Sequence, residues 1–243
     1  MFGKNKIEKV IRDAHGALDV HSVFYTIQGE GPFAGRPSLF IRLYGCSLAC
    51  SWCDTEFESQ RVHTTPSVLM DTVESLIPPG APRPLIVITG GEPMRQHLFP
   101  FARYAILASY IIQIETAGIH WEPELGDLVD DGNLHIICSP KTPVVRDEIE
   151  ARAAAFKYII SATEESDPND GLPLRAVSQR GQPQKGMLYR TPRIWHKPET
   201  VFVQPLDEQD AVLEAANRDY CAIIAMRHGY RLSLQLHKIL GLA

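Results

Sequence analysis

Pro84-Leu85-Ile86-Val87-Ile88-Thr89-Gly90-Gly91-Glu92-Pro93 is the stretch whose reading decides the fold. Its first half is a short unbroken apolar run, the pattern of a strand covered on both faces. Its second half is flexible backbone carrying one carboxylate. A buried strand ending in a Gly-rich polar loop is the unit of parallel α/β sheets and barrels, whose ligands sit at the C-terminal ends of strands. One such unit is a weak signal; its recurrence is a strong one.

The unit recurs in both directions. Ser38–Tyr44 reads as a strand feeding a cysteine loop, and Ile111–Thr116 as a strand turning at Ala117-Gly118. Leu134–Cys138 leads into Ser139-Pro140-Lys141, Phe156–Ile160 is a further strand, and Val201–Val203 ends at Gln204-Pro205-Leu206-Asp207. Upstream, Asp19–Tyr25 alternates as a strand and runs into the turn Thr26–Pro32. Helices are expected over Val68–Ile77, with Thr65 as N-cap and Pro66 at N1, over Gln96–Ser109, disturbed by Pro100, and over Asp210–Arg218. Tyr230–Leu236 alternates and packs the C-terminus. Strand, polar loop and returning helix make an α/β fold with parallel strands, an incomplete (β/α) TIM-like barrel. Right-handed crossovers then gather Gln28–Glu30, Cys46–Thr55, Thr89–Pro93, Ser139–Lys141 and Gln204–Asp207 on one rim.

The 243 residues, 44% hydrophobic and 22% charged, suit one domain over 19–243. Residues 1–18 form a polar extension with a short helix over Ile7–Ala14 and no visible chemistry. Residues 166–198 carry five prolines and six Lys/Arg against two Asp, a basic insertion in an acidic protein. It reads as a solvated loop or as a docking patch for an acidic electron donor. A net charge of −5 disfavours non-specific nucleic-acid binding. No apolar run reaches the length of a membrane span and no signal peptide opens the chain, so the cytoplasm is expected.

Three of the five cysteines lie in Gly45-Cys46-Ser47-Leu48-Ala49-Cys50-Ser51-Trp52-Cys53-Asp54-Thr55. The count is odd and the spacing too tight for a disulfide framework. The pattern C-x3-C-x2-C supplies three thiolates where a closed site takes four ligands, which leaves one metal position open for chemistry. Cys138 sits in an apolar run and reads as a buried thiol. Arg42 lies inside the second strand, either on an exposed face or against a ligand carboxylate. Lys141 is a loop lysine or a cation facing a ligand. Gln28 and Glu30 belong to a surface turn or bind a polar ligand that Gly29 lets close.

The cysteine spacing, Trp52 before the third cysteine and the downstream Gly-Gly-Glu-Pro resemble the radical S-adenosylmethionine superfamily. The finer pattern resembles the 7-carboxy-7-deazaguanine synthases, through Phe24–Gly31, Gly35-Arg36-Pro37, Phe40-Ile41-Arg42, Cys53-Asp54-Thr55, Ser139-Pro140-Lys141, Gln204-Pro205 and Arg231–Lys238. That resemblance implies conversion of 6-carboxy-5,6,7,8-tetrahydropterin to 7-carboxy-7-deazaguanine with loss of ammonia, on the way to queuosine in tRNA. It implies a [4Fe–4S] cluster, S-adenosylmethionine and Mg2+, a flavodoxin- or ferredoxin-type electron donor, and a homodimer. It implies Cys46, Cys50 and Cys53 as cluster ligands. Trp52, Cys53, Asp54, Gly91, Glu92, Ser139, Pro140, Lys141, Gln204, Pro205, Leu206 and Asp207 then face S-adenosylmethionine, with Glu92 receiving the methionine ammonium. Ile27, Gln28, Gly29, Glu30, Arg42 and Thr89 contact substrate, Thr55 holds Mg2+, and the terminal carboxylate, here of Ala243, approaches the substrate.

Two rivals share parts of this pattern. A glycyl-radical enzyme activase has the same cysteine loop, but the Gln28–Glu30 loop, Arg42 and Thr55 favour a small carboxylated substrate. A zinc-binding structural module lacks a fourth ligand beyond Asp54 and His63.

Overall fold

The computed structural model describes residues 5–175 and 197–242. Nine strands form one sheet in the order β3-β1-β2-β4-β5-β6-β7-β8-β9. They are β1 (Leu18–Ile27), β2 (Pro37–Leu43), β3 (Val62–Thr64), β4 (Leu85–Gly90), β5 (Ile112–Thr116), β6 (Leu134–Cys138), β7 (Ala155–Ile160), β8 (Val201–Pro205) and β9 (Arg231–Leu232). From β2 to β9 every pairing is parallel. The sheet is curled but open, so the expected incomplete barrel is present. Its core is the expected continuous apolar strands: Leu39, Ile41, Leu43, Ile86, Ile88, Ile112, Ile114, Ile136 and Phe156 are all buried against the helix side chains Leu69, Val73 and Phe101.

One strand departs from the parallel rule. β1 runs antiparallel to β2 and to β3. Ile27 therefore lies opposite Pro37, the first residue of β2. The Gln28–Glu30 loop leaves the sheet at the N-terminal end of the parallel strands, not on the rim that carries the other loops. Strand direction is invisible in a hydrophobic pattern, which is why the single-rim expectation fails for this loop. The curl of the sheet nonetheless carries Glu30 across the interior to Lys157 on β7.

The helices are α1 (Pro66–Ser75), α2 (Phe99–Leu107), α3 (Leu125–Asp130), α4 (Asp147–Arg152), α5 (Ala211–His228) and α6 (Leu236–Leu240). Thr65 caps α1 by accepting from Val68 N. The helix expected from Gln96 starts only at Phe99, because Glu122 from a distant loop accepts from the backbone of Leu98 and Phe99 and fixes the start there. α5 runs ten residues beyond the expected Arg218. Its inward stripe is Asn217, Cys221, Ile224 and Ala225; the polar Asn217 hid that stripe, since it is buried only to bond Ala162 N and Leu206 O. Asp210 caps its start, and Gly229, at φ 73°, its end. α3 and α4, of six residues each, are too short to show a helical period in the sequence.

The two ends of the chain differ most from expectation. No helix forms over Ile7–Ala14. The segment is extended, Ile7 bridges to Cys46, and Glu8 N and Ile11 N donate to Cys46 O and Arg95 O. A stretch this short is a marginal helix, and paired backbone outcompetes it. At the other end the alternating strand Tyr230–Leu236 shrinks to Arg231–Leu232, because Ser233 and Gln235 turn inward to bond other loops and α6 follows. Most of the basic insertion, 176–196, and Ala243 lie outside the described residues.

Candidate active site

The C-terminal ends of the parallel strands open on one cleft of roughly 1070 Å³, its mouth included. Cys46, Cys50, Trp52, Cys53, Asp54 and Thr55 line it after β2, and Thr89, Gly91 and Glu92 after β4. Ser139 and Lys141 enter after β6, Gln204 to Asp207 from β8, and Glu30 from below. Pro140 faces a smaller side pocket shared with Trp52. Ile27, Gln28, Gly29 and Arg42 stand behind the cleft wall rather than on it.

The cysteine loop is held from both sides. Gly91 passes so close to it that a Cβ there would lie 2.1 Å from Gly45 O and 2.7 Å from Cys46 Cβ, and Glu92 N donates to Gly45 O. On the other side the chain start is a strap, with Asn5 Nδ2 donating to Leu48 O at 2.7 Å and Ser47 Oγ to Glu8 O at 3.0 Å. Arg95, buried, bonds Tyr44 O and Lys9 O and ties strap to loop. The N-terminal extension thus buttresses the candidate site.

Burial, followed by the nearby Glu92, pushes the Cys46 thiol up to about 12, and burial raises Cys50 as well. Lys141 answers them. Burial alone would lower its pKa, but the three cysteines and Glu92 more than reverse that. Among the described residues no three His, Cys, Asp or Glu side chains converge on a point that one metal ion can occupy. Cys46, Cys50 and Cys53 nonetheless all line the one cleft, three thiols open to a group that binds there. The indole Nε1 of Trp52 is buried with no protein partner among the described residues, a donor left for a ligand.

Glu92 is buried and already engaged. It accepts from Thr116 Oγ1 at 2.7 Å, Ala117 N at 2.8 Å and Met94 N at 3.1 Å. Burial raises its pKa against those donors. At most one lone pair is left for an incoming ammonium, so its first task is to fix the loop between β4 and β5.

The opposite wall is a hydrogen-bonded lattice. Glu115 accepts from Gln28, Gln113 and Thr89 Oγ1. Glu30 accepts from Lys157, from Gln235 Nε2 at 2.8 Å and from Gln204 Nε2 at 3.3 Å. Burial raises Glu30, but Lys157 and then Gln235 outweigh it and hold the carboxyl below its ordinary range. Gln235 also donates to Asp54, and Lys238 clamps Asp54 to Asp207. Burial raises Asp54 too, and Lys238 overrides it, so this carboxylate beside Cys53 stays ionised. Thr55 Oγ1 donates to Asp54 and keeps its own lone pairs free. Arg42 lies with its guanidinium 5.2 Å from the Phe24 ring centre and its buried Nε unpartnered among the described residues. Gly29 leaves room for His237, not for a ligand: a Cβ there would sit 2.2 Å from His237 Nδ1.

Sequence reasoning missed Glu115, Lys157, Gln235, Lys238 and Asn5. Glu115 and Lys157 were detectable as charged residues inside apolar strand runs, the same signal that marked Arg42. Gln235 and Lys238 fall in Arg231–Lys238, a stretch that carries the family resemblance but gives no sign of the partners they reach, and Asn5 at the chain start carries no local signal.

No family model matches the chain. It is 40% identical over 248 residues to the 7-carboxy-7-deazaguanine synthase of Rhodospirillum rubrum, covering all of both chains. It is 35% identical over 249 residues to that of Rickettsia prowazekii, covering all of this chain and 96% of the relative. The synthase of Escherichia coli K12 is 26% identical over 247 residues, with 92% and 98% covered. The fold matches the crystal structure of QueE from Escherichia coli with a TM-score of 0.62 at 24% identity, over 91% of this chain and 95% of that one.

Proposed function

The chain belongs to the 7-carboxy-7-deazaguanine synthase family, and from that premise we propose how its cleft works. The protein is a radical S-adenosylmethionine lyase that converts 6-carboxy-5,6,7,8-tetrahydropterin to 7-carboxy-7-deazaguanine with release of ammonia, in queuosine biosynthesis. The observation that carries the reading is a single cleft with three cysteines on one wall and an ionised, pre-bonded carboxylate lattice on the other.

Cys46, Cys50 and Cys53 would hold a [4Fe–4S] cluster. When bound, cluster and S-adenosylmethionine supply a carbon-centred radical able to take a substrate hydrogen. The chain's own task is placement and exclusion of water. Trp52 offers its free indole N–H, and Asp54, Gly91, Ser139, Pro140, Lys141 and Pro205 to Asp207 frame S-adenosylmethionine. Gln204 stands between the two ligands through its bond to Glu30. Arg42, close enough to Asp54 and Cys53 to feel their charge, would pair with the substrate carboxylate through its guanidinium, Thr89 and Glu30 would contact the ring, and Gln28 would hold Glu115 and the Glu30 backbone from behind the wall. Thr55 would hold Mg2+, with substrate oxygens and water completing its shell.

A flavodoxin- or ferredoxin-type donor, a homodimer and a cytoplasmic setting complete the proposal. Among the described residues no helix is long and apolar enough to cross a membrane. The test is anaerobic reconstitution with iron and sulfide, followed by incubation with S-adenosylmethionine, Mg2+, reductant and the carboxypterin. Formation of 7-carboxy-7-deazaguanine and ammonia is expected. Cleavage of S-adenosylmethionine without any deazaguanine would remove the substrate assignment.

A further inference from the structure

Lys157 meets the cleft as the partner of Glu30. It sits in the middle of β7, in the run Ala155-Phe156-Lys157-Tyr158, and its side chain is only 9% exposed. It lines the cleft and pairs with Glu30, whose side chain is 13% exposed. An ammonium is costly to bury on a strand interior, and a buried pair is weak support for stability alone. Something else accounts for its position.

Oxygen counting on Glu30 supplies it. A carboxylate has about four lone-pair directions. Among the described residues, Oε1 accepts from both Gln204 and Gln235, and Oε2 accepts only from Lys157. One acceptor direction on Oε2 is left, on a residue that lines the cleft. The other charged groups around the pair are Asp54 from the cysteine loop, Glu115 on β5, Lys141 after β6, and His237 and Lys238 of α6. Two of these are further carboxylates. Without Lys157, Oε2 of Glu30 would lose its donor among the described residues, and only Oε1 would stay held, by Gln204 and Gln235.

We propose that Lys157 is a positioning residue for substrate: it holds the Glu30 carboxylate oriented so that its remaining lone pair accepts an N–H from the substrate's aminopyrimidinone ring. Such a ring presents adjacent ring and amino N–H donors, and a charged acceptor fixed in a dry site discriminates strongly for them. The proposal rests on reading the cleft as a carboxypterin site. Ser139 adds support from the neighbouring strand: its Oγ donates to Lys157 O at 2.8 Å and fixes the backbone from which the lysine projects.

The experiment measures the Kd of 6-carboxy-5,6,7,8-tetrahydropterin by calorimetry on reconstituted enzyme with S-adenosylmethionine bound and the cluster kept oxidised, so that nothing turns over. Lys157→Met should weaken binding about tenfold or more, with iron content and cluster absorbance unchanged. Lys157→Arg should recover part of the loss. In a Glu30→Gln background, where no carboxylate needs holding, Lys157→Met should change Kd by less than about twofold. An unchanged Kd in Lys157→Met overturns the proposal, and so does an equal loss in the Glu30→Gln background, because Lys157 would then act on its own. If Lys157→Met does not fold, the comparison of Glu30→Gln with Glu30→Gln/Lys157→Met carries the test, since the double variant removes both charges of the pair together: equal Kd values support the proposal and a further loss overturns it. Wild-type enzyme that does not bind the carboxypterin at all removes the substrate reading itself, and the proposal with it.

Discussion

On the cysteine wall of the cleft, among the described residues, the Cys46 sulfur accepts one weak bond from Leu48 N at 3.4 Å and the Cys53 thiol donates to Thr55 O at 3.7 Å. On the facing wall Glu30 and Glu115 each accept three bonds, from Lys157, Gln204 and Gln235 and from Gln28, Gln113 and Thr89. One wall is completed by what binds to it; the other is built before anything arrives. The difference follows from chemistry. A metal cluster brings bond energy enough to order its own ligands. A small polar substrate brings little, so its acceptors must be fixed in advance or the ordering is deducted from affinity.

The largest expected effect breaks the first wall. Cys50→Ala should abolish iron retention and S-adenosylmethionine cleavage together, because the remaining cysteines cannot hold a cluster with one open position. Metal analysis and anaerobic cleavage assays check this, and a variant that still cleaves S-adenosylmethionine would dissolve the contrast between the walls. Next, Arg42→Ala should cut substrate binding by about 2–5 kcal/mol and leave the cluster spectrum intact. The guanidinium is buried enough that burial lowers its pKa, with Asp54, Glu56 and Glu115 acting in the other direction. Calorimetry with the carboxypterin decides; unchanged affinity would return Arg42 to a purely structural stack on Phe24.

A smaller effect probes where the walls are joined. In Gly91→Ala the new Cβ meets backbone at Gly45 and the Cβ of Cys46, neither of which is a flexible chain end. The clash should cost about 1–3 kcal/mol of stability and accelerate loss of iron, read as a lowered urea midpoint and faster bleaching of the cluster. Bleaching at the wild-type rate would mean that the cysteine loop tolerates displacement and that its placement comes from the strap alone.

Legibility in the sequence follows the same division. Cys46, Cys50, Cys53 and Gly91-Glu92 could be read because cluster chemistry demands particular residue types at fixed spacing. The strands from β2 to β8 could be read because burial on both faces leaves continuous apolar runs. The lattice wall was only half visible. Glu115 and Lys157 each look like a stray charge in a strand, and their meaning depends on which face and which neighbour the curl provides. Gln28–Glu30 was read as a ligand loop but put on the wrong rim, since nothing in Asp19–Tyr25 says that β1 runs against β2. The strap was dismissed because its contacts, such as Asn5 to Leu48, span 43 residues and leave no local pattern.

The smallest prediction concerns how the cysteine loop is anchored after Thr55. Glu56 reaches back to β1, with Oε2 at 2.7 Å from His21 Nε2, and its Oε1 accepts from Glu58 N at 2.7 Å and Ser59 N at 2.9 Å. Burial works against its charge, but the Ser59 hydroxyl and these backbone donors together outweigh it and hold the carboxyl at about 2, below its ordinary 4.5. The folded-state pKa is depressed, so the contribution is complete above about pH 4.5 and is lost as pH falls towards 2. Glu56 is half exposed, and solvent screening keeps that contribution small. Glu56→Gln should therefore lower Tm at pH 7 by about 1–3 °C and reduce the fall in Tm between pH 5 and pH 3 relative to wild type. Thermal melts across that range check it. Parallel curves for the two proteins would show that this end of the loop is held by the cluster and the strap, not by its own carboxylate, and the contrast between the walls would sharpen accordingly.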